Sequence, residues 1–157
     1  MNKLTIALLA LLALLGLSPA QAQLLQTQSL SLQAAKTMAD AAEAEARKNN
    51  WNVAVAIVDA SGGLILFHRL DETQPASLDI AIQKARTAAR FKRPTKALED
   101  AVTSGRLALL AVDGLLPLEG GLPIVSNGQV IGAVGVSGVT SQQDAQVAQA
   151  ALSALSR

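Results

Sequence analysis

The sequence predicts an α/β fold, with one central antiparallel sheet of four to five strands flanked by helices. Three observations carry this expectation. Two pairs of apolar, β-rich runs are each joined by a turn signal, Ser61–Gly62–Gly63 in the first and Asn127–Gly128 in the second. Segments with apolar residues every three or four positions precede, separate and follow these pairs. The resulting order is helix, hairpin, helices, hairpin, helix, so the strands pair antiparallel and the helices cover the sheet.

The first 22 residues stand apart from this domain. Met1–Asn2–Lys3 is a short positive segment, Leu4 to Leu17 is almost unbroken apolar sequence, and Ala20–Gln21–Ala22 has the small-x-small pattern of a cleavage site. The apolar run falls short of the ~20 residues of a membrane span. Residues 1–22 therefore read as a secretory signal peptide cleaved after Ala22, and residues 23–157 as a single domain. The expected destination is the periplasm of a Gram-negative bacterium or the medium. The full chain carries 13 basic and 12 acidic residues, and Lys3 leaves with the signal, so the mature chain is neutral. No global field remains to attract nucleic acid or an acidic membrane.

After a short polar lead-in, Ser29 to Asn49 reads as a helix. Leu32, Ala35, Met38, Ala39, Ala42 and Ala46 form its apolar stripe, and Asn49–Asn50 its stop. Val53 to Asp59 is a buried strand, and Leu64 to Arg69 is its hairpin partner. Regular alternation puts Leu64, Leu66 and His68 on one face of that partner and Ile65, Phe67 and Arg69 on the other. Ser77 is placed to cap a helix running to about Phe91, which Pro94 ends, and Thr95 to cap another through about Val102. Leu107 to Val112 reads equally as helix or strand. Ile124–Val125–Ser126 and Gln129 to Ser137 form the second hairpin, in which Gly132 and Gly135 mark close approach by another backbone or a ligand. Thr140 and Gln143 have the spacing of a capping box that opens the last helix.

Composition narrows the chemistry. There is no cysteine, so disulfides, thiolate metal sites and a cysteine nucleophile are excluded. His68 is the single histidine, which excludes any site needing two histidines of one chain. Aromatic residues make up only 2%, too few for base-stacking platforms. No nucleophile elbow, paired-carboxylate motif, Walker loop or dinucleotide loop is present, so the balance leans against an enzyme.

Several separated motifs then resemble one family in order along the mature chain. They are Val53–Ala54–Val55–Ala56–Ile57–Val58–Asp59 with Gly62–Gly63, Arg69–Leu70–Asp71, and the alanine-rich Ala81 to Ala88 with its Lys84–Ala85 and Thr87–Ala88 pairs. Gly120–Gly121–Leu122–Pro123–Ile124, Ile131 to Gly138 and the downstream Asp144 complete the set. From about Ser29 to Leu155 the chain resembles the GlcG/HbpS-like family, which is related to the C-terminal domain of PduO-type proteins. The resemblance implies a three-layer, profilin-like α/β/α sandwich, homo-oligomeric assembly and haem as a cofactor. In place of a small Gly-Ala step common in the family, Glu72–Thr73–Gln74–Pro75 follows Arg69–Leu70–Asp71, which bears on ligand preference.

The candidate cofactor-binding residues are His68, Arg69, Asp71, Lys84, Arg86, Arg90, Gly120, Gly121, Ser137 and Gly138. His68 reads either as the haem-iron ligand or as a strand-end histidine without one. Arg86, Arg90 and Arg93, at spacings of four and three, line one helix face suited to propionates or another small anion, or else to solvent or a subunit contact. Gly120–Gly121 offer backbone N–H groups, and Ser137–Gly138 end the glycine-bearing strand. Arg69, Asp71 and Lys84 gain weight from the family resemblance. The expected function is a secreted haem- or tetrapyrrole-binding protein acting as an oligomeric carrier, scavenger or sensor. The rivals are an accessory enzyme that degrades haem or processes a small hydroxy- or keto-acid, and a non-catalytic assembly module.

Overall fold

Helix α1 (Leu32–Lys48) opens the described part of the chain, residues 27–155 of a computed structural model. The expected signal peptide and its cleavage site lie outside the described residues. Helix α1 starts later than the Ser29 expectation because Ser31 caps it, its hydroxyl oxygen accepting from the Ala34 N–H at 3.1 Å. It stops at Asn49–Asn50, where Asn50 takes the left-handed conformation with φ 55°. Strands β1 (Ala54–Asp59) and β2 (Leu64–Arg69) follow as a hairpin. Helices α2 (Ala76–Phe91) and α3 (Thr95–Thr103) come next, then a 3₁₀ helix at Leu107–Ala111, which resolves the open reading of that stretch. The hairpin of β3 (Gly121–Ser126) and β4 (Gln129–Ser137) leads to α4 (Ser141–Ser153).

The four strands form one antiparallel sheet in the order β2-β1-β4-β3. Side-chain alternation on β1 sorts the two cores. Val55 and Ile57 join Met38, Ala42, Val134, Val136 and Val147 under α1 and α4, whereas Ala54, Ala56 and Val58 meet Ala81, Ala85 and Ala88 of α2. The chain is thus a three-layer sandwich, as expected, with α1 and α4 on one face and α2 on the other.

Alanine and glycine set the spacing on the α2 face. A Cβ on Gly135 would overlap the Ala81 carbonyl and the Ala85 backbone, and one on Gly121 would overlap the Lys84 carbonyl. The helix backbone therefore rests directly on β3 and β4. This is the close backbone approach expected at Gly135.

Three local expectations need correction. A bulge sets Leu64 opposite Val58 while Leu66 stays opposite Ile57, so Leu64 leaves the face shared by Leu66 and His68. Ser77 lies inside the first turn of α2 and makes no cap. Thr95 is buried as the first residue of α3, and its hydroxyl oxygen accepts from the Gly121 N–H at 2.9 Å, fastening β3 instead of capping the helix.

Asp59 closes the β1–β2 turn. Its Oδ1 accepts from the Ser61 hydroxyl at 2.6 Å, the Ser61 N–H at 2.8 Å and the Gly63 N–H at 2.9 Å. These bonds, the Ser61 hydroxyl first, hold its carboxyl below the usual carboxylate range.

Two predictions follow from this packing. Gly135→Ala forces α2 off the sheet and lowers the unfolding free energy by at least the ~1–3 kcal/mol typical of overpacked cores, read by urea denaturation. An unchanged midpoint would contradict the backbone contact. Because the Asp59 carboxyl is depressed in the folded state, its contribution is present above the unfolded value and lost as pH falls through the folded one. Asp59→Ala is therefore less stable than wild type at neutral pH, and the gap closes as the pH falls below the ordinary aspartate value of about 3.9 and on through the lower folded one.

Candidate functional site

At the end of β2, away from the Ser61–Gly63 turn, the C-terminal half of α1 and the sheet edge enclose a cleft. It has two neighbouring depressions of about 280 and 360 Å³, which share Arg47, Leu70 and Asp71. Glu43, Phe67, His68 and Arg69 line one, and Asn50, Trp51 and Asn52 line the other. These volumes lie near the lower bound of the ~300–1,000 Å³ typical of small-molecule sites. His68 is opposite Val55 and so on the α1 face, whereas Arg69 is opposite Ala54 on the other. Both reach the cleft because β2 is an edge strand.

The charged residues of the cleft form a chain of contacts. Arg47 Nε and Nη2 each lie 2.8 Å from Glu43 Oε1, and the other carboxylate oxygen, Oε2, is 3.3 Å from His68 Nδ1. Arg47 first, with help from His68, keeps the Glu43 carboxyl below its usual range. The His68 side chain is 32% exposed, yet its Nδ1 is buried and has no aligned hydrogen-bond partner among the described residues. Its exposure therefore falls on the rest of the ring. Arg69 is exposed and donates to the Thr73 carbonyl at 3.2 Å, and Asp71 is exposed beside it.

The structure does not bring the other expected residues to this cleft. Lys84 is 1% exposed on α2. Its Nζ lies 2.8 Å from Asp144 Oδ2 on α4 and donates to the Val136 carbonyl at 3.0 Å. The other oxygen of Asp144 accepts from the Val139 N–H at 3.2 Å. Burial raises the Asp144 carboxyl above its usual range, against the opposing pull of Lys84. Gly120, with φ +121°, leaves room for this pair, since a Cβ there would lie 2.8 Å from Lys84 Nζ and 2.9 Å from Asp144 Cβ. Gly120 thus packs against the internal ion pair, and the Gly121 N–H is taken by the Thr95 hydroxyl instead of being offered to an anion.

Arg86 and Arg90 lie at the opposite end of the hairpin. Arg86 Nε donates to the Gly62 carbonyl at 3.2 Å and Arg90 Nε to the Ser61 carbonyl at 2.9 Å, so both support the β1–β2 turn. Ser137 is buried at the end of β4, opposite Ala54. Gly138 has no Cβ because the backbone of Asn52 and Val53 presses against it, which makes it a support behind the Asn52 wall of the cleft. Arg69, Lys84 and the Arg86–Arg90 pair therefore lie in three different places.

A larger groove of about 520 Å³ lies between the start of α1, the β3–β4 hairpin and the end of α4. Leu30, Ile124, Val125, Ile131, Leu152 and Leu155 line it together with backbone and serines, its only polar side chains. It has apolar area but no charged, titratable or metal-ligating group. The smaller cleft holds the chemistry.

A family model described as "Haem degrading protein HbpS-like" matches residues 30–153. The chain belongs to the HbpS-like family. It is 48% identical over 108 residues to Protein GlcG of Escherichia coli (strain K12), covering 69% of this chain and 81% of that protein. A solved double mutant of Streptomyces reticuli HbpS is 33% identical with a TM-score of 0.80, covering 89% of this chain and 98% of that one. A solved PduOC:Heme complex is 30% identical with a TM-score of 0.75, covering 81% and 95%. The resemblance stated from the sequence is thereby confirmed, together with the α/β architecture. For this HbpS-like chain, no helix among the described residues is long and apolar enough to cross a membrane.

Sequence reasoning missed Glu43, Arg47 and Trp51. Glu43 and Arg47 were visible only as charges off the apolar stripe of α1, although their spacing of four is that of a helical ion pair. Trp51, the single tryptophan, sits just past the helix stop. Which strand faces this end of α1 had to be known before the three could be joined to His68.

The buried pair makes a sharp prediction. Lys84→Met strands the Asp144 charge and destabilises the fold by about 3–5 kcal/mol, whereas Lys84→Met combined with Asp144→Leu recovers much of the loss. A denaturant double-mutant cycle reads the coupling. Additive losses would contradict it.

Proposed function

We propose that this protein binds haem, or a closely related tetrapyrrole, in the cleft between α1 and the edge strand β2. The observation that carries the reading is the placement of the single histidine. Among the site residues, only His68 offers a neutral nitrogen of the kind an axial ligand requires. Its ring is partly open to a cleft flanked by two arginines, while its Nδ1 is buried against a carboxylate. The donor set fits the group. His68 would hold the iron, and Arg47 and Arg69 are placed to meet propionates through charge-assisted hydrogen bonds. Trp51, Phe67 and Leu70 supply the apolar contacts. Haem, when bound, supplies the redox and ligand-binding chemistry of its iron. The chain's own part is to bind and orient it.

Kinship with an HbpS structure and a PduOC:Heme complex supports this reading. The signal-like residues 1–22 support export, with action as a carrier, scavenger or sensor outside the cytoplasm. The cleft is shallow, so a second copy packed over its mouth would shield more of a planar ligand. That agrees with the homo-oligomer that the family resemblance implies.

Titration of the purified mature protein with haemin tests the proposal. The expected result is a saturable Soret shift at about one haem per chain with a nitrogen-ligated spectrum. His68→Ala loses that spectral signature while keeping part of the affinity through the arginines and apolar contacts. A featureless, non-saturating titration would overturn the proposal.

A further inference from the structure

We infer that Glu43, braced by Arg47, is the positioning residue for His68. The inference rests on the haem reading only for its consequence at the iron. The geometry around the imidazole stands without it. Glu43 and Arg47 are one turn apart on α1, and both guanidinium contacts go to Oε1. Oε2 is thereby left to face His68 Nδ1 at 3.3 Å. That nitrogen is buried and has no aligned hydrogen-bond partner among the described residues, so water does not compete for its proton. At 3.3 Å the pair is within reach of a hydrogen bond that the ring does not make as it stands, so the positioning role requires the ring to rotate to align it.

A carboxylate facing one ring nitrogen selects the tautomer. With the proton on Nδ1, Nε2 keeps its lone pair and lies on the ring edge not sealed by Glu43. This is the outer-shell arrangement in which a carboxylate accepts from a ligating histidine, fixes its orientation and raises its basicity. Glu43 touches neither the iron nor the porphyrin in this scheme and acts through His68 alone. Arg47 has two tasks. It holds the Glu43 rotamer, and its remaining donors line the cleft.

The two consequences separate experimentally. In the protein without haem, at a pH near 8, where an ordinary imidazole is neutral, long-range proton–nitrogen NMR reports the His68 tautomer. Wild type is expected as the Nδ1–H form, Glu43→Gln as a mixture or the Nε2–H form, and Glu43→Asp as a partial return. With haem bound, Glu43→Gln is expected to weaken binding and move the iron midpoint potential to a more positive value. Circular dichroism and the melting temperature check that each variant is folded.

An Nε2–H tautomer in wild type, or a tautomer and potential unchanged in folded Glu43→Gln, would overturn the assignment of Glu43. A wild-type Nδ1–H tautomer that depends on Glu43, in a protein that takes up no haem, supports the positioning role and overturns the haem proposal. A His68-ligated haem whose spectrum and potential ignore Glu43 does the reverse.

Discussion

An ammonium and a carboxylate 2.8 Å apart, both almost wholly removed from water, hold the layers of this protein in place. Lys84 belongs to the helix on one face of the sheet and Asp144 to a helix on the other. Their contact, together with the Val136 carbonyl and the Val139 N–H, joins the outer layers at the end of β4. Taking both charges out of water is costly, and only close geometry with further hydrogen bonds offsets it. That geometry needs Gly120 and Gly121, because a side chain at either would displace the lysine or its helix. The glycines, the lysine and the aspartate, on which the sequence resemblance partly rests, are therefore one structural device.

Docking α2 in this way fixes the centre of the sheet, and the centre positions the edge. Ala54 lies between Ser137 of β4 and Arg69 of β2, so the end of β4 is in register with the end of β2. Gly138 then lets the chain press against Asn52 and Val53, the segment that leads from α1 into β1. The cleft is built on this framework. Its walls are the last turns of α1, the segment after it and the edge strand. Its charged residues sit on regular elements, so their positions are set by packing rather than by a free loop.

Much of the architecture was legible in the sequence because it rests on local chemistry. The alanine stripe of α1, the Asn127–Gly128 turn, the Asp59 turn and the Thr140–Gln143 capping box each act within a few residues, and each is found where its pattern placed it. Less was legible where a residue's partner is distant. Thr95 has a capping residue's chemistry but bonds to Gly121, 26 positions away. Leu64 follows strand alternation until a bulge moves it. Arg86 and Arg90 share a helix face, yet nothing local shows that this face meets the carbonyls of Ser61 and Gly62. The same limit governed the site. His68, Arg69 and Asp71 are close in sequence and stay together, whereas Glu43 and Arg47 come from α1, and Lys84 turns inward to a residue 60 positions away.

The location of the ligand is the central claim, and mapping it on the backbone tests it most directly. Gallium protoporphyrin, a diamagnetic stand-in for haem, can be added to nitrogen-labelled protein while amide and indole resonances are followed. Shifts are expected to concentrate on Glu43, Arg47, Trp51 and His68 to Asp71, with Arg86, Arg90 and the Lys84–Asp144 region little affected. Shifts centred instead on Leu30, Ile124 and Leu155 would place the ring in the larger groove and rule out binding at His68.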